Sequence, residues 1–268
     1  MKVQNKVMVV TGGGSGIGRE MVLLLLAKGA RVAAVDLNEA ALQGTTELAG
    51  EKKGNLSTHV VNIASKVAVE ALPDQVIAKH GAVDGVINNA GIVQPFVKLN
   101  DLGYEAIERV FNVNFLGTLY MTKTFLPHLL KRPEAHIANI SSMGGFLPVP
   151  GQTIYGASKA AVKLMTEGLS SELSNTNVRV TIVFPGAMGT NIINNSGFES
   201  RALPENNDQA QMKTLAPSKA AQIIIEGIEQ NKSRLLVGSD AAFMDFIYRL
   251  NPKYAAGLIY KKLKDMLV

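Results

Sequence analysis

A tyrosine and a lysine one helical turn apart are the clearest candidates for chemistry in this chain. Tyr155 and Lys159 stand four residues apart in a segment with helical periodicity, so both side chains face one side of the helix. An unperturbed tyrosine has a pKa of about 10, too high for a base at neutral pH. Because a neighbouring ammonium favours the phenolate, we expect Lys159 to lower the pKa of Tyr155. The pair could then take a proton from an alcohol or return it to a ketone.

Two further polar residues could join this pair. Ser142 follows a predicted strand end, where its hydroxyl could hold a substrate oxygen and stabilise developing charge. Asn114 is a poor helix former inside a predicted helix, and such a residue usually faces solvent or satisfies a carbonyl group. It could instead hold a water that passes protons from Lys159. The sequence therefore offers a path for protons, with the role of Asn114 left open.

A glycine-rich turn, Thr11–Gly18, follows the apolar run Val7–Val10 and precedes a helical pattern. Gly12 can turn without a Cβ penalty, Gly16 allows a pyrophosphate to approach the backbone, and Gly18 allows close packing of helix on strand. Free N–H groups and the positive end of the helix dipole would meet the phosphates. Glycine clusters are often only turns, but this strand, turn and helix together with a later acidic residue predict dinucleotide binding.

Asp36 is that acidic residue, and it ends the second predicted strand. A carboxylate there can accept hydrogen bonds from both ribose hydroxyls of NAD, and it would repel the 2′-phosphate of NADP. The residues that follow, Leu37 and Asn38, carry no compensating positive charge. We therefore predict NAD as the cofactor. The alternative is that Asp36 only caps the next helix.

Apolar strands alternate with helical segments along the chain, and each strand is continuously apolar. This pattern predicts an α/β fold, a doubly wound parallel sheet of the Rossmann type, in which ligands bind beyond the carboxyl ends of the strands. No linker or repeat divides residues 1–268, so we predict one domain with a core over about 5–240 and a C-terminal helical extension over about 240–268. The predicted strands are Val7–Val10, Arg31–Val35, Leu56–Val61, Val83–Ile87, His136–Ile140, Val178–Val183 and Arg234–Val237. The predicted helices are Ile17–Lys28, Asn38–Gly50, Ser65–His80 with a kink or restart at Pro73, one long helix within Asp101–Leu126, Thr153–Leu173, Pro217–Gln230 and two more in the extension.

Composition excludes several other kinds of chemistry. The chain has no cysteine, which rules out disulfides, thiolate nucleophiles and cysteine-ligated zinc, and its four histidines lack metal-ligand spacing. The net charge of +5 reads as mild and scattered, without a nucleic-acid motif. We expect no signal peptide before the first strand and find no apolar run of about 18 residues, so the prediction is a cytoplasmic protein without metal, nucleic acid or membrane span.

In their order and spacing, these motifs resemble the short-chain dehydrogenase/reductase family. The resemblance covers about residues 5–240 and is carried by Thr11–Gly18, Asn88–Gly91, Asn114, Ser142, Tyr155 with Lys159, and Pro185–Gly186. It implies a catalytic tetrad of Asn114, Ser142, Tyr155 and Lys159, with Lys159 also binding the nicotinamide ribose. It further implies cofactor contacts at Gly12, Ser15, Gly16, Ile17, Gly18, Asp36, Leu37, Asn62, Ile63, Asn89, Ala90, Gly91, Tyr155, Lys159, Pro185, Gly186, Met188 and Thr190.

One departure from the family concerns the adenine end of the cofactor. The family usually has Asp-Val where this chain has Asn62 and Ile63. The side-chain oxygen of Asn62 can still accept a hydrogen bond from the adenine amino group. We therefore expect weaker cofactor binding, not its loss.

The segments after Ser142 and after Pro185 are apolar and carry no fixed charge for a carboxylate or phosphate. They predict a pocket for a hydrophobic secondary alcohol or ketone, lined by Met143, Phe146, Met188, Ile192 and Ile193. Packing of the loop alone is the alternative. In the last helix, Ile259, Leu263, Met266 and Leu267 share a face, while Lys261, Lys264 and Asp265 point elsewhere. Such a helix can lie on a membrane surface, but it more often packs on its own domain or a sister subunit.

The favoured function is an NAD-dependent alcohol dehydrogenase or ketoreductase. An NADP-linked biosynthetic reductase acting on acyl thioesters is an alternative against which Asp36 argues. A dinucleotide-binding sensor or scaffold without turnover is another, although such proteins usually lose the tyrosine or lysine that this chain keeps. The family resemblance implies a homotetramer or homodimer, formed largely through the helices that hold Asn114 and Tyr155.

Overall fold

A computed structural model describes residues 1–189, 192, 196, 214–264 and 267 of the protein. In this part of the chain, seven parallel strands form one sheet in the order β3-β2-β1-β4-β5-β6-β7. The winding reverses between β1 and β4, and this reversal opens a crevice at the carboxyl ends of the strands. The predicted doubly wound fold is confirmed. The strands are β1 (Val7–Thr11), β2 (Arg31–Asp36), β3 (Leu56–Val60), β4 (Gly85–Asn88), β5 (Ala135–Ile140), β6 (Val178–Pro185) and β7 (Arg234–Val237).

Helices connect the strands and cover both faces of the sheet. A π-helical turn spans Asn112–Gly117, and 3-10 turns span Gly50–Asn55, Leu99–Asp101 and Met143–Gly145. The α-helices of the described residues are α1 (Gly16–Ala27), α2 (Glu39–Leu48), α3 (Lys66–Glu70), α4 (Leu72–His80), α5 (Tyr104–Phe111), α6 (Thr118–Leu129), α7 (Thr153–Glu172), α8 (Pro217–Glu229), α9 (Ser239–Leu250) and α10 (Pro252–Leu263).

The strands contribute to two cores, one on each side of the sheet. Along β1, Val7 and Val9 pack into the core beneath α4 and α6, whereas Met8 and Val10 pack into the core beneath α1 and α8. Both sets are fully buried, which explains why β1 is continuously apolar. The expectation of continuously apolar strands is wrong for the edge strand β3, which contains Ser57, Thr58 and His59 and exposes alternate residues. This packing fixes the strand ends on which the candidate site is built.

The structure divides two of the predicted helices. The helix predicted within Asp101–Leu126 consists of α5 and α6 joined by the π-helical turn. The predicted restart at Pro73 is present, because α3 ends at Glu70 and Pro73 lies in the first turn of α4, where its missing N–H group costs nothing. Other boundaries shift by one to a few residues.

Candidate active site

The turn between β1 and α1 is shaped by glycines at points where no side chain fits. Gly12 has a left-handed φ of +69°, and a Cβ there would lie 2.8 Å from Nδ2 of Asn89. A Cβ at Gly18 would lie 1.9 Å from the carbonyl oxygen of Gly12. The first turn of α1 begins at Gly16, after Ser15, and contains no acidic residue. Its N–H groups and the space left by the missing side chains fit the pyrophosphate of a dinucleotide.

Asp36 lies beside this turn, held by two backbone N–H groups. Gly14 N donates to Oδ2 at 2.9 Å, and Asn38 N donates to Oδ1 at 3.0 Å. The side chain that caps α2 is Asn38, whose Oδ1 accepts from Ala41 N at 3.0 Å. Asn38, and not Asp36, therefore caps α2. The carboxylate of Asp36 faces the glycine turn.

Arg19 brings a positive charge to the same turn, which the sequence analysis overlooked. Its guanidinium group donates to the carbonyl oxygen of Gly14, to that of Ala41 at 3.3 Å and to Thr45 Oγ1 at 3.1 Å. Helical periodicity gave no sign of this, because an arginine in the first turns of a helix usually faces solvent. The charge of Arg19 is the feature here that would favour a phosphate on the adenine-side ribose.

Two asparagines predicted to touch the cofactor make local hydrogen bonds. Oδ1 of Asn62 accepts from Ala64 N at 3.0 Å. Nδ2 of Asn89 donates to the carbonyl oxygen of Thr11 at 3.0 Å, and Thr11 Oγ1 accepts from the N–H groups of Asn89 and Ala90 at 3.0 Å each. Asn89 thus joins the ends of β1 and β4, and the contacts of both asparagines with a cofactor stay predictions.

Ser142 and Tyr155 come together next to Gly144. Ser142 follows β5, and its Oγ accepts from Gly144 N at 3.1 Å. A Cβ at Gly144 would lie 3.6 Å from both Ser142 Oγ and Tyr155 Cε1. Burial raises the pKa of Tyr155, and a hydrogen bond with Ser142 lowers that pKa only in part. The prediction of a lowered pKa is therefore wrong in this structure, because the loss of hydration outweighs the neighbouring polar group.

Lys159 is buried at the same end of the sheet. Its Nζ donates to the carbonyl oxygen of Ile140 at 3.0 Å, and burial lowers the pKa of Lys159 to about 8. A Cβ at Gly91 would lie 3.1 Å from this Nζ and 3.2 Å from Oδ1 of Asn114. The ammonium therefore lies between the end of β5 and the loop after β4, beside a residue predicted to bind the cofactor.

Asn114 lies in the π-helical turn and is fully buried. Its Oδ1 accepts from Ile92 N at 2.8 Å, while its Nδ2 donates to the carbonyl oxygen of Ile92 at 2.9 Å and to Ser158 Oγ at 3.0 Å. The main-chain oxygen accepts from Thr118 Oγ1 at 2.8 Å. The amide thus ties the loop after β4 to α7. A water relay through Asn114 stays a prediction. The side-chain contacts with Ile92 and Ser158 do not support it.

Gln94 is a buried residue of this site that the sequence analysis missed. Its Oε1 accepts from Ile154 N at 2.8 Å and Tyr155 N at 2.9 Å, so it satisfies the first N–H groups of α7. Its Nε2 donates to the carbonyl oxygen of Gly151 at 3.0 Å, and Gln152 Nε2 donates to the carbonyl oxygen of Gln94 at 3.0 Å. No motif or spacing marks a glutamine in this loop, so only the fold shows that it positions Tyr155.

The loop after β6 is held by the C-terminal extension. Ala187 N donates to Oδ2 of Asp240 at 2.7 Å, and Asp240 belongs to the first turn of α9. A Cβ at Gly186 would lie 2.2 Å from Oδ1 of Asp240, so a side chain there would displace this carboxylate. The predicted cofactor residues Pro185, Gly186 and Met188 therefore form a segment anchored to α9.

Two of the predicted substrate residues lie under α10. Met143 and Phe146 pack against a small core formed by Leu147, Ala255, Ile259 and Leu263. The ring of Phe146 is 5.4 Å from that of Phe184 and 6.0 Å from that of Tyr248, measured between centroids. The last helix therefore covers the loop that follows Ser142. Phe146 is engaged in this packing, which favours the alternative reading for that residue.

The other predicted substrate residues are described only in part. The carbonyl oxygen of Ile192 accepts from Ser196 Oγ at 2.6 Å, and Val93 N donates to the same hydroxyl at 2.9 Å. These bonds bring the segment after β6 next to the loop after β4. The predicted residues Thr190, Ile193 and Met266 lie outside the described residues.

Within the described ranges, no group of three or more histidine, aspartate or glutamate side chains could hold a metal ion. No helix in the same ranges is long and apolar enough to cross a bilayer.

The chain is similar to known proteins over most of its length. Residues 6–200 match the family described as short chain dehydrogenase. The oxidoreductase SadH of Mycobacterium tuberculosis is 36% identical over 253 residues, which cover 92% of this chain and 91% of that protein. The 3-oxoacyl-(acyl-carrier-protein) reductase FabG of Thermotoga maritima is 31% identical over 233 residues, which cover 84% of this chain and 91% of that protein.

Two solved structures share the fold at 25% identity. A short chain dehydrogenase/reductase from Burkholderia phymatum, in complex with NAD, has a TM-score of 0.81 and covers 93% of this chain and 96% of its own. A short chain dehydrogenase from Burkholderia cenocepacia, in complex with NADP, has a TM-score of 0.79 and covers 97% of this chain and 99% of its own. The protein belongs to the short-chain dehydrogenase/reductase family and is an oxidoreductase.

Proposed function

We propose that the protein interconverts a hydrophobic secondary alcohol and its ketone with NAD, using Tyr155 as general acid and base. One observation carries the proposal. Ser142 and Tyr155 meet at Gly144, while Lys159 and Asn114 meet at Gly91, and both points lie at the sheet edge that holds the glycine turn. Proton-transferring groups and a dinucleotide cradle at one edge are the requirements of this reaction.

The cofactor half of the site has a distinct chemical task. A nicotinamide dinucleotide, when bound, supplies the two-electron exchange with the substrate carbon. The N–H groups of the Thr11–Gly18 turn would hold its phosphates, and Asp36 would accept from its adenine-side ribose. Lys159 and the segment Pro185–Met188 would hold the nicotinamide end.

The proton moves through Tyr155. In ketone reduction the protonated phenol gives its proton to the carbonyl oxygen, and in alcohol oxidation the phenolate takes the hydroxyl proton. The hydroxyl of Ser142 holds the same substrate oxygen. The phenol of a tyrosine is protonated at neutral pH, which favours reduction, whereas alkaline pH favours oxidation. Burial, which raises the pKa of Tyr155, moves this change to higher pH.

A panel of secondary alcohols tests the reaction and the substrate class together. We expect NADH formation at mildly alkaline pH, with kcat/KM rising as the alcohol becomes more apolar. Tyr155→Phe should lower kcat about 100-fold or more, because the general acid and base is lost. Tyr104→Phe is the matched control, since Tyr104 is 84% exposed on α5. Unchanged activity of Tyr155→Phe would refute the catalytic role, and preference for small charged polyols would refute the apolar pocket.

Asp36 provides the test of cofactor choice. We expect wild type to prefer NAD over NADP, because the carboxylate repels a 2′-phosphate. Asp36→Asn keeps an oxygen acceptor for Gly14 N and removes the charge, so the preference should fall by about tenfold or more. The measurement is kcat/KM for both cofactors at one alcohol concentration. Equal efficiency of wild type with NADP would sink the assignment to NAD.

A second candidate is an NADP-linked reductase of acyl thioesters. Two observations favour it: the similarity to the Thermotoga maritima reductase and the charge of Arg19 beside the glycine turn. Such an enzyme would oxidise NADPH in the presence of a β-ketoacyl thioester. Arg19→Ala would weaken this NADPH oxidation more than it weakens NADH oxidation. Dinucleotide binding without turnover on either substrate class would instead indicate a sensor or scaffold.

A further inference from the structure

The C-terminal hairpin, defined as α9 and α10, has two contrasting faces. Its inner face is buried: Ala255, Ile259 and Leu263 pack on Leu147 in the loop after Ser142. Its outer face carries large apolar side chains that are more than half exposed. These are Phe243 at 56%, Phe246 at 61%, Leu250 at 70%, Tyr254 at 57% and Tyr260 at 53%.

Both helices of the hairpin expose large apolar side chains. Phe243, Phe246 and Leu250 follow helical spacing on α9 and form one stripe. On α10, a surface depression of about 310 Å³ is lined by Asn251, Lys253, Tyr254, Gly257, Leu258 and Lys261. Large apolar side chains grouped on an exposed surface are typical of an interaction site.

The second helix of the hairpin concentrates positive charge. Residues 252–264 contain four lysines and no acidic residue, whereas α9 contains Asp240 and Asp245 beside Arg249, so the hairpin together with Lys264 has a net charge of +3. Arg249 is paired with Asp245 at 2.9 Å. The lysines at 253, 261, 262 and 264 are exposed and form no salt bridge within the described ranges. The net charge is therefore less scattered than its mild total indicated, because residues 252–264 carry +4 of the +5.

The combination of charge and aromatic rings indicates the kind of partner. In a twofold interface the same patch meets itself, so two copies joined through this face would oppose the four exposed lysines of one to the four of the other. An anionic lipid surface instead attracts lysines, and aromatic side chains settle at the level of its headgroups. We infer that the outer face of the hairpin docks on an anionic lipid bilayer.

Docking would orient the site described above. The inner face of the hairpin covers the loop that follows Ser142, so the bound bilayer would lie one helix layer from that loop. If the proposed hydrophobic substrate is correct, it would reach the site from a phase in which it dissolves. This last point rests on the proposed function, whereas the docking itself does not.

Vesicle flotation of the full chain tests the inference. The expected result is partition onto vesicles of phosphatidylcholine with phosphatidylglycerol, weakened by salt and much weaker on phosphatidylcholine alone. Lys261→Gln with Lys262→Gln should lower the partition coefficient roughly 30-fold, from about fivefold for each lysine near an anionic surface. Phe243→Ser with Phe246→Ser should lower it about tenfold or more.

Matched controls use exposed residues elsewhere. Lys52→Gln with Lys53→Gln removes two lysines of the 3-10 turn before β3, and Leu48→Ser with Val67→Ser removes two exposed apolar side chains. Both controls should keep wild-type partition. Alcohol oxidation in vesicle-free buffer should be unchanged in all four double variants, which reports the proposed function and the fold separately from docking.

Two results would overturn the inference. One is equal partition of wild type and the hairpin variants on anionic vesicles, or no partition at all. The other is a native mass that falls in the hairpin variants, measured by light scattering, because the surface would then be an interface between copies of this chain. Activity without vesicle binding would leave the proposed function standing and remove the docking surface alone.

Discussion

Tyr155 shows how much the chemistry of one residue depends on what surrounds it. Four-residue spacing to Lys159 suggested a lowered pKa, yet burial raises the pKa of the phenol, and the ammonium donates to Ile140 at 3.0 Å. The hydroxyl of Ser142 is the group that lowers the pKa. Burial therefore has the larger effect on the base strength of Tyr155, and Ser142 opposes it in part.

This arrangement predicts the effect of removing the Ser142 hydroxyl. Ser142→Ala should shift the rise of alcohol oxidation to higher pH, because the hydrogen bond that lowers the pKa of Tyr155 is lost. It should also lower kcat about 100-fold, since the oxygen of the substrate loses a donor. The measurements are the pH dependence of kcat/KM, which reports the free enzyme, from pH 6 to about 10.5, and kcat itself. Ser142→Thr, which keeps a hydroxyl, is the control, and an unmoved profile in Ser142→Ala would contradict the prediction.

The site residues that could be predicted from the sequence are those whose type and spacing form a motif. The glycine turn, Asp36, Ser142 and the tyrosine with its lysine all lie at one sheet edge as predicted. Contacts between residues that are far apart in the sequence could not be predicted. Gln94 reaches α7 across 61 residues to Tyr155, and no local pattern encodes such a contact.

The catalytic helix α7 is positioned at its first turn by a side chain from another segment. Gln94 Oε1 accepts the N–H groups of Ile154 and Tyr155, and Gln94 is 3% exposed. Helix ends leave their first N–H groups without partners inside the helix, so a buried end needs an acceptor from elsewhere. The position of Tyr155 therefore depends on the loop after β4.

Gln94→Met tests this dependence, because methionine is similar in length but provides no comparable acceptor. We expect the free energy of unfolding to fall by about 2 kcal/mol, since two buried N–H groups lose their partner. We also expect kcat to fall about tenfold with KM for the cofactor nearly unchanged. Denaturant unfolding and steady-state kinetics measure the two effects.

Two variants make the role of Gln94 specific. Gln94→Glu keeps an acceptor at the helix N-terminus and should recover part of kcat. Gln222→Met, on the exposed face of α8, should change neither quantity. If Gln94→Met lost stability but kept wild-type kcat, Gln94 would be only structural.

The positions of the central strands followed from continuous apolar runs, because a parallel sheet covered on both faces buries nearly every residue of those strands. The break between α5 and α6 did not follow. Periodicity near 3.6 reports a helix but does not distinguish its hydrogen-bond pattern, so the π-helical turn at Asn112–Gly117 was read as part of one helix.

For the whole molecule, buried histidines predict a loss of stability in acid. Burial lowers the pKa of His136 from 6.5 to about 3. Between these values the unfolded chain binds a proton that the folded chain does not, so stability falls as pH drops through this window. The slope for one such group is about 1.4 kcal/mol per pH unit.

The measurement is the free energy of unfolding at several pH values from 6.5 to about 4. His136→Gln should reduce the slope by about one proton's worth, whatever its effect on stability at pH 7. His80, whose pKa burial lowers to about 4, should still contribute in the variant. An identical slope in wild type and variant would show that His136 is not held neutral by the fold.

The π-helical turn sets the rotation of α5 relative to α6 about their common axis. On one side of it α5 packs on α7, and on the other α6 packs on β4 and β5. A π turn holds one residue more than an α turn, which offsets the phase of the helix by about 100°. Deleting a single residue there would restore the phase and rotate α5 away from α7, carrying Asn114 with it. The segment formed by α5, the π-helical turn and α6 should therefore tolerate most substitutions on its exposed face but not the deletion or insertion of a residue.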